Sequence, residues 1–381
     1  MNCVFFTNYV LHHQIPWADE MYRLLGGDFH YVELCPTEDL VKAMSGYSVI
    51  ERPYVLKAYE NDETKSFAFE LATKADVMIW GGNVALPYVK ARAKSSAGIT
   101  FEMGERWLKK GILNLLSPNL LQNKWIYHTK LRWQNAYRLC SSAYAQRDEK
   151  LLLSYKGKCL KWGYFTAAPD LDIETTIASK RTASTVKILW VARFLQWKHP
   201  DRMPQLACQL QKRGVDFHIN MIGVGPEHDK IQQEIKTLGL EKFVSLLGTM
   251  PNEDVLAAMR THHIFCFTSD KNEGWGAVLN EAMANGCCPV SSIETGSTPY
   301  LIHDGVNGFS FDANVKDDFV NKVHWLITHP EEREQMSIAA YKTIHDIWSP
   351  KSAALRLCQF CDSILNHKTC DAFADGPCSH A

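Results

Sequence analysis

A chain of 381 residues, 46% hydrophobic and 22% charged, is too long for one comfortable core, so its length predicts two domains. Its 41 Lys and Arg against 42 Asp and Glu leave a formal charge of -1, without the global basic field of nucleic-acid binders, and DNA or RNA partners are disfavoured. No stretch approaches the roughly 20 apolar residues that span a bilayer, and "MNCVFF" lacks a charged leader region, so the expectation is a cytoplasmic chain.

In chain order, short apolar runs alternate with helix-period segments, the pattern of an α/β protein with parallel sheets. The strand candidates of the first half are "CVFFTN", "FHYVEL", "YVLKA", "DVMIWGG" and "GITFEM". Those of the second half are "VKILWVA", "FHINMIGVG", "FVSLLG", "HIFCFTS" and "CCPVSSI". Two doubly wound sheets follow. The stretch "FTAAPDLDIETTIASKRTAST", poor in large apolar residues, marks the boundary, giving domains over 1–165 and 166–350. After "IWSP" an amphipathic pattern over 351–367 predicts a closing helix, and 368–381 reads as a flexible tail.

The 12 cysteines are scattered and mostly lie in apolar runs, where the reduced thiol packs as a small hydrophobe. The tail holds Cys358, Cys361, His367, Cys370, Cys378 and His380, but their spacing lacks the two-knuckle form of a structural zinc site, and no metal is expected. Between Arg106 and Arg147 the charges are one-sided: Lys and Arg without Asp or Glu, interleaved with Trp107, Trp125, Tyr127, Trp133 and Tyr137. Such a surface suits peripheral contact with an anionic membrane, where each cation adds about 1 kcal/mol. The alternative is a solvated face with its tryptophans in the core.

The chemistry concentrates in "NEGWGAVLNEAMANGCCPV". Gly274 and Gly276 bracket Trp275 at the first turn of a helix that Gly286 ends, leaving its first N–H groups uncovered, and such a terminus attracts a phosphate. Glu281 lies inside the helix and Glu273 just before it. Ionised carboxylates only accept, so hydroxyls are their natural partners beside cations. An anion-attracting terminus with two hydroxyl acceptors describes a phosphorylated sugar, and preferably a nucleotide sugar. In "ILWVARFLQWKHP" a buried strand ends at Arg193, with Lys198 in the loop beyond, two cations at the carboxyl end of a parallel strand, where such sheets bind ligands. Together they could neutralise a departing diphosphate. "INMIGVGPEHDKI" offers Gly223 and Gly225 at a close-approach turn. His228 stands where a dinucleotide fingerprint has its third glycine, so this is a weak sign of NAD.

"VARFLQWK", "IGVGP", "LLGTMP", "FTSDKNEGWGAVLNEAMANGCCPV" and "LIHDGVNGFSF" follow in an order and spacing that resembles glycosyltransferase family 4, the retaining nucleotide-sugar transferases of GT-B fold, with Glu273 and Glu281 matching its E-x7-E motif. The resemblance implies two Rossmann-like doubly wound parallel-sheet domains facing a central cleft. It further implies a hexose-type sugar, carried on UDP or GDP, moved to a glycan or lipid-linked acceptor in polysaccharide or glycolipid synthesis, with no cofactor or metal. Arg193 and Lys198 then resemble the pair that holds the donor diphosphate, Glu281 the ribose-binding acid and Glu273 the acid near the transferred sugar. Gly223 and the backbone of Gly274, Trp275, Gly276, Ala277 and Val278 would line the donor site, with Thr249 and Met250 near the base. The closing helix resembles the one that crosses back onto the N-terminal domain.

The first half departs from that family. His12 and His13 stand where a glycine pair is frequent, and Glu102, with Glu105 beyond, stands where many members have a histidine near the reacting sugar; all four are acceptor-side candidates. Three rival readings are a metal-dependent transferase using Asp170 and Asp172 of "PDLD", a non-catalytic sugar-nucleotide-binding protein, and a sugar-nucleotide epimerase of similar shape.

Overall fold

The computed structural model describes residues 1–37, 50–95, 98–109, 111–368 and 373–381. The chain divides into two compact units, one of residues 1–167 with 348–381, the other of residues 168–347.

Among the described residues the first unit is built on seven parallel strands: β1 (Cys3–Thr7), β2 (Phe29–Glu33), β3 (Val55–Lys57), β4 (Val77–Trp80), β5 (Ile99–Gly104), β6 (Asn135–Cys140) and β7 (Cys159–Lys161). They lie in the order β3-β2-β1-β4-β5-β6-β7. Every residue of β1 and β4 is buried, because helices cover both faces and remove the need for polar alternation. The helix Ile15–Leu25 starts with proline in its first turn and buries Ile15, Trp17, Ala18 and Met21. Trp17 meets Phe5 edge-on at 5.5 Å and Trp162 at 5.7 Å. Asn61 and Thr64 close a capping box at the start of the helix Asp62–Lys74.

The helix Pro350–Leu365 packs against Ile15–Leu25 and β5, with Phe360 5.1 Å from Tyr137 and 6.0 Å from Phe101. The tail differs from the expectation of a flexible end. Lys161 N–H donates to Ser379 O (2.8 Å), Cys378 N–H to Lys161 O (2.9 Å) and Ala381 N–H to Cys159 O (3.1 Å), so the edge of β7 gives the last residues backbone partners. Cys378 and Ser379 are buried there. Cys370 lies outside the described residues; the described cysteines are free thiols, and among the described residues no group of three or more His, Cys, Asp or Glu could hold a metal ion.

The second unit carries β8 (Val186–Val191), β9 (Phe217–Ile222), β10 (Val244–Leu246), β11 (Ile264–Phe267), β12 (Cys288–Ser292) and β13 (Phe309–Phe311), all parallel, in the order β10-β9-β8-β11-β12-β13. The order reverses between β8 and β11, and ligands bind in such sheets at the carboxyl side of that switch point. The segment expected to be a loose boundary is in part a helix, Ile173–Lys180. Asp172 caps it by accepting from Thr175 N–H at 3.1 Å, Ile173 and Ile177 pack with Tyr341, and Asp170 projects into solvent. Among the described residues, no helix is long and apolar enough to cross a membrane.

Three strands fall outside the apolar runs read from the sequence. β7 and β13 have three residues each, too short for a distinct apolar run. In β6 Arg138 interrupts the apolar pattern. That guanidinium is buried, donating to Glu102 Oε1 at 2.8 Å and ion-paired with Glu149 at 3.1 Å. Lys124, also buried, donates to Glu149 Oε2 at 2.6 Å. The one-sided charge of residues 106–147 is therefore partly internal, balanced by acids from β5 and from the helix Ala145–Leu151.

Candidate functional site

The site is built on the carboxyl ends of β8 to β11. Beyond β8 the backbone stays extended beside the β9 loop, with Ala192 N–H donating to Ile222 O (3.1 Å) and Phe194 N–H to Val224 O (2.9 Å). Gly223 makes this approach feasible: its φ is +130° and a Cβ would stand 2.0 Å from Ala192 O. Alternation then turns Phe194 inward, 4.9 Å from Trp190 and 5.3 Å from His228, and Arg193 outward. His228, in place of a third glycine, thus packs against Phe194. Arg193 is exposed, and its guanidinium has no hydrogen bond or ion pair among the described residues.

Lys198 ends a short 3₁₀ turn, Gln196–Lys198, and is largely shielded from solvent. Its ammonium lies 4.3 Å from the Trp197 ring centroid and pairs with Glu273 Oε2, which also accepts from Ser269 Oγ at 3.0 Å. The loops after β8 and β11 are stitched further: Thr268 Oγ1 donates to Lys198 O (2.7 Å), Asp270 N–H donates to Trp197 O (3.0 Å), and Arg202 donates to Thr268 O (2.9 Å). Thr268 and Ser269 were missed in the sequence, although two small hydroxyls closing a buried strand just before Glu273 were a readable signal.

The next turn is fixed by Gly276, at φ +90°, where a Cβ would fall 2.2 Å from Phe267 Cζ. The helix Ala277–Ala284 opens there without a side-chain cap. Leu279 N–H donates to Gly276 O at 3.0 Å, while the N–H groups of Ala277 and Val278 have no acceptor among the described residues. They are the open donors of a helix N-terminus. Gly274 is buried, and the Trp275 ring lies wholly in the core, its indole donating to Asn280 Oδ1 at 2.9 Å, so only backbone is available to a ligand there.

Glu281, in the middle of this helix, has no donor or cation for its carboxylate among the described residues. Burial without compensation pushes its pKa up to about 7. Gly248 O accepts from Gly223 N–H at 2.7 Å, which ties the β10 loop to the β9 loop and sets exposed Thr249 and half-buried Met250 on the same end of the sheet. A cavity of about 700 Å³, lined in part by Lys180, His263 and Arg333, opens at the amino ends of β8 and β11 instead, and none of these site residues lines it.

The acceptor-side candidates fare differently. Glu102, expected on the acceptor side, is a buried, ion-paired acid of the first unit. Burial opposes its charge, but Arg138 and Lys124 outweigh that and hold its carboxyl below the usual range, and Tyr155 OH donates to it at 2.8 Å. Glu105 accepts from Tyr164 OH at 3.0 Å and pairs with Lys109 at 3.2 Å. His13 lies 4.4 Å from the Tyr164 ring, and burial drives its pKa down to about 3, which makes it a weak base. His12 sits edge-on to His13 at 5.3 Å, its pKa lowered by partial burial.

Residues 173–343 match the family of glycosyl transferases group 1. The matched segment covers the second unit from its first helix through the whole of its sheet. D-inositol 3-phosphate glycosyltransferase of Thermobifida fusca is 26% identical over 192 residues, 46% of this chain and 44% of that protein. GDP-mannose-dependent alpha-(1-6)-phosphatidylinositol monomannoside mannosyltransferase of Mycolicibacterium smegmatis is 25% identical over 199 residues, 50% of this chain and 52% of that protein. The chain spans about half the length of the curated relatives it matches. HepE of Anabaena, solved in complex with UDP, superposes with a TM-score of 0.69 at 14% identity, over 95% of this chain and 100% of that one. The lipopolysaccharide outer core galactosyltransferase WaaB, in its apo form, superposes at 0.67 and 16% identity, over 96% and 100%. The fold is GT-B, α/β, with two Rossmann-like parallel-sheet units.

Proposed function

We propose that the chain is a retaining hexosyltransferase that moves a sugar from a UDP- or GDP-linked donor to a glycan or lipid-linked acceptor, without a metal. The observation that carries this is the meeting of Lys198 and Glu273 over the β8/β11 switch point, beside an uncapped helix terminus and an unpartnered acid, Glu281. A GDP-mannose-dependent mannosyltransferase among the relatives and a structural neighbour solved with UDP support the donor class.

Each group has a part the donor would use. The diphosphate is met by the Arg193 guanidinium, the Lys198 ammonium and the Ala277 and Val278 N–H groups. An ammonium has three N–H donors, so Lys198 can keep Glu273 and still reach a phosphate oxygen. Glu281 accepts from adjacent ribose hydroxyls, which restores the partners its burial removed. Glu273, held by Lys198 and Ser269, faces the hexose hydroxyls. As the anomeric C–O bond breaks, the electron pair moves onto the diphosphate, and preorganised cations and dipoles stabilise that charge. The acceptor hydroxyl forms the new bond on the same face and passes its proton to the departing phosphate oxygen, which gives retention.

The test is a panel of UDP- and GDP-hexoses followed by thermal unfolding, then by transfer or hydrolysis, with the product anomer read by NMR and a chelator arm. A donor at about 100 times its Kd stabilises by about 2.7 kcal/mol. The reading is abandoned if no nucleotide sugar shifts unfolding and none is consumed. An inverted product or chelator-sensitive turnover would remove retention or metal independence separately.

A further inference from the structure

We infer that the first unit docks on an anionic lipid surface through the face formed by Ile112–Leu116, the helix Pro118–Thr129 and Trp133. Three adjoining elements expose large apolar side chains: Ile112, Leu113 and Leu116 on a 3₁₀ turn, Leu121 and Trp125 on the helix, and Trp133 on the 3₁₀ turn that follows it. Their exposures run from 56% for Leu121 to 79% for Leu113. The helix contacts both turns, which brings these exposed side chains onto adjoining elements, and Leu121 and Trp125, four residues apart, share one side of the helix. Leu151 and Leu153 extend it, since Leu152 O, between them, meets His128 Nε2 of the same helix at 3.1 Å. A contiguous apolar surface of this kind marks an interaction site rather than ordinary scatter.

The charge around it selects the partner. From residue 106 to 158 the only acids are Asp148 and Glu149, and both are buried, Glu149 by Lys124 and Arg138, and Asp148 by Arg106 and the Leu108 N–H. The exposed charges among the described residues of this segment are all positive: Lys130, Arg132, Arg147, Lys150 and Lys156. Arg132 lies 4.6 Å from the Trp133 ring centroid, the pairing of a cation with an amphipathic ring that suits the headgroup layer. A protein partner would be expected to meet some exposed acid at the rim, whereas phosphate headgroups over acyl chains match cations over leucine and tryptophan. The inference concerns the surface alone and stands whether or not the proposed transfer is correct.

The experiment is sedimentation of the full chain with vesicles of phosphatidylcholine alone and of phosphatidylcholine with 30 mol% phosphatidylglycerol (about one lipid in three, a density at which surface attraction is appreciable). The expected result is binding at least tenfold stronger to the anionic vesicles, weakening with added salt, with a blue shift of tryptophan emission. The double variant Trp125→Glu with Trp133→Glu should lose binding and the blue shift. Lys130→Glu with Arg132→Glu should abolish the anionic preference. These side chains are exposed, so thermal unfolding of both variants should match the parent and separate lost docking from lost folding. Failure to bind either vesicle, equal binding to both, or a dimer in light scattering that Trp125→Glu with Trp133→Glu dissociates would each overturn the inference.

Discussion

The Lys198 ammonium and the Glu273 carboxylate pair across the two loops that flank the β8/β11 switch point, and Ser269 Oγ holds the same carboxylate oxygen at 3.0 Å. A cation and an acid otherwise 75 residues apart are thereby fixed where a ligand would enter, with their loops cross-linked through Thr268 and Asp270.

Lys198→Ala and Glu273→Ala should each lower transfer at least tenfold, about 1.4 kcal/mol, with circular dichroism unchanged. Because the two side chains touch, their effects should not add in the double variant. Unchanged turnover in both single variants, measured with the best donor of the panel, would remove the assignment.

Glu281→Gln tests the unpartnered acid. Burial holds its folded pKa, about 7, above the ordinary 4.5, so its contribution to stability is complete below about 4.5 and is lost as pH rises through 7. The loss is on the order of 3 kcal/mol. Glu281→Gln should therefore melt above the parent at pH 8 and alongside it at pH 4.5 in calorimetry. Donor binding, by giving the carboxylate hydroxyl partners, should release a proton near pH 7, seen as a buffer-dependent heat in titration calorimetry.

Glu102→Gln should act on stability and not on the chemical step. It leaves Arg138 and Lys124 buried with a single full acid, Glu149, a change that costs about 3 kcal/mol. Urea unfolding should report this loss. A fall in kcat for the folded fraction, with no shift of the unfolding midpoint, would restore Glu102 to the reaction.

Gly276→Ala places a methyl against Phe267 at a left-handed backbone position. Strain and overpacking together cost about 3 kcal/mol, and the helix N-terminus moves with them. Donor affinity should fall along with the urea midpoint. An alanine variant with parental stability and binding contradicts the turn geometry.

His263 should make the second unit acid-sensitive. Its Nδ1 accepts from Lys187 N–H at 3.0 Å, its Nε2 meets Lys180 O at 3.1 Å, and burial lowers its pKa to about 4. The stability this neutral ring contributes is complete above about 6.5 and is lost as pH falls toward 4, about 2 kcal/mol by pH 4.5. His263→Gln should flatten the pH dependence of the urea midpoint over that interval.

By itself the sequence determined the two sheets and the location of the groups proposed to meet the donor. Parallel strands buried on both faces read as unbroken apolar runs, as in "CVFFTN" and "HIFCFTS", and Glu273, Gly276 and Glu281 sit within one short stretch whose glycines and acids announce a turn and a helix. Only tertiary structure decided which charges are internal. Arg138 broke the pattern of β6 and Glu102 looked like a free acid, because the partner that neutralises each lies 36 residues away in the chain and beside it in the sheet. It also decided that Leu113, Trp125 and Trp133 are surface and Trp275 core, since an apolar side chain has the same local signature in either place, and its fate depends on what distant segments fold over it.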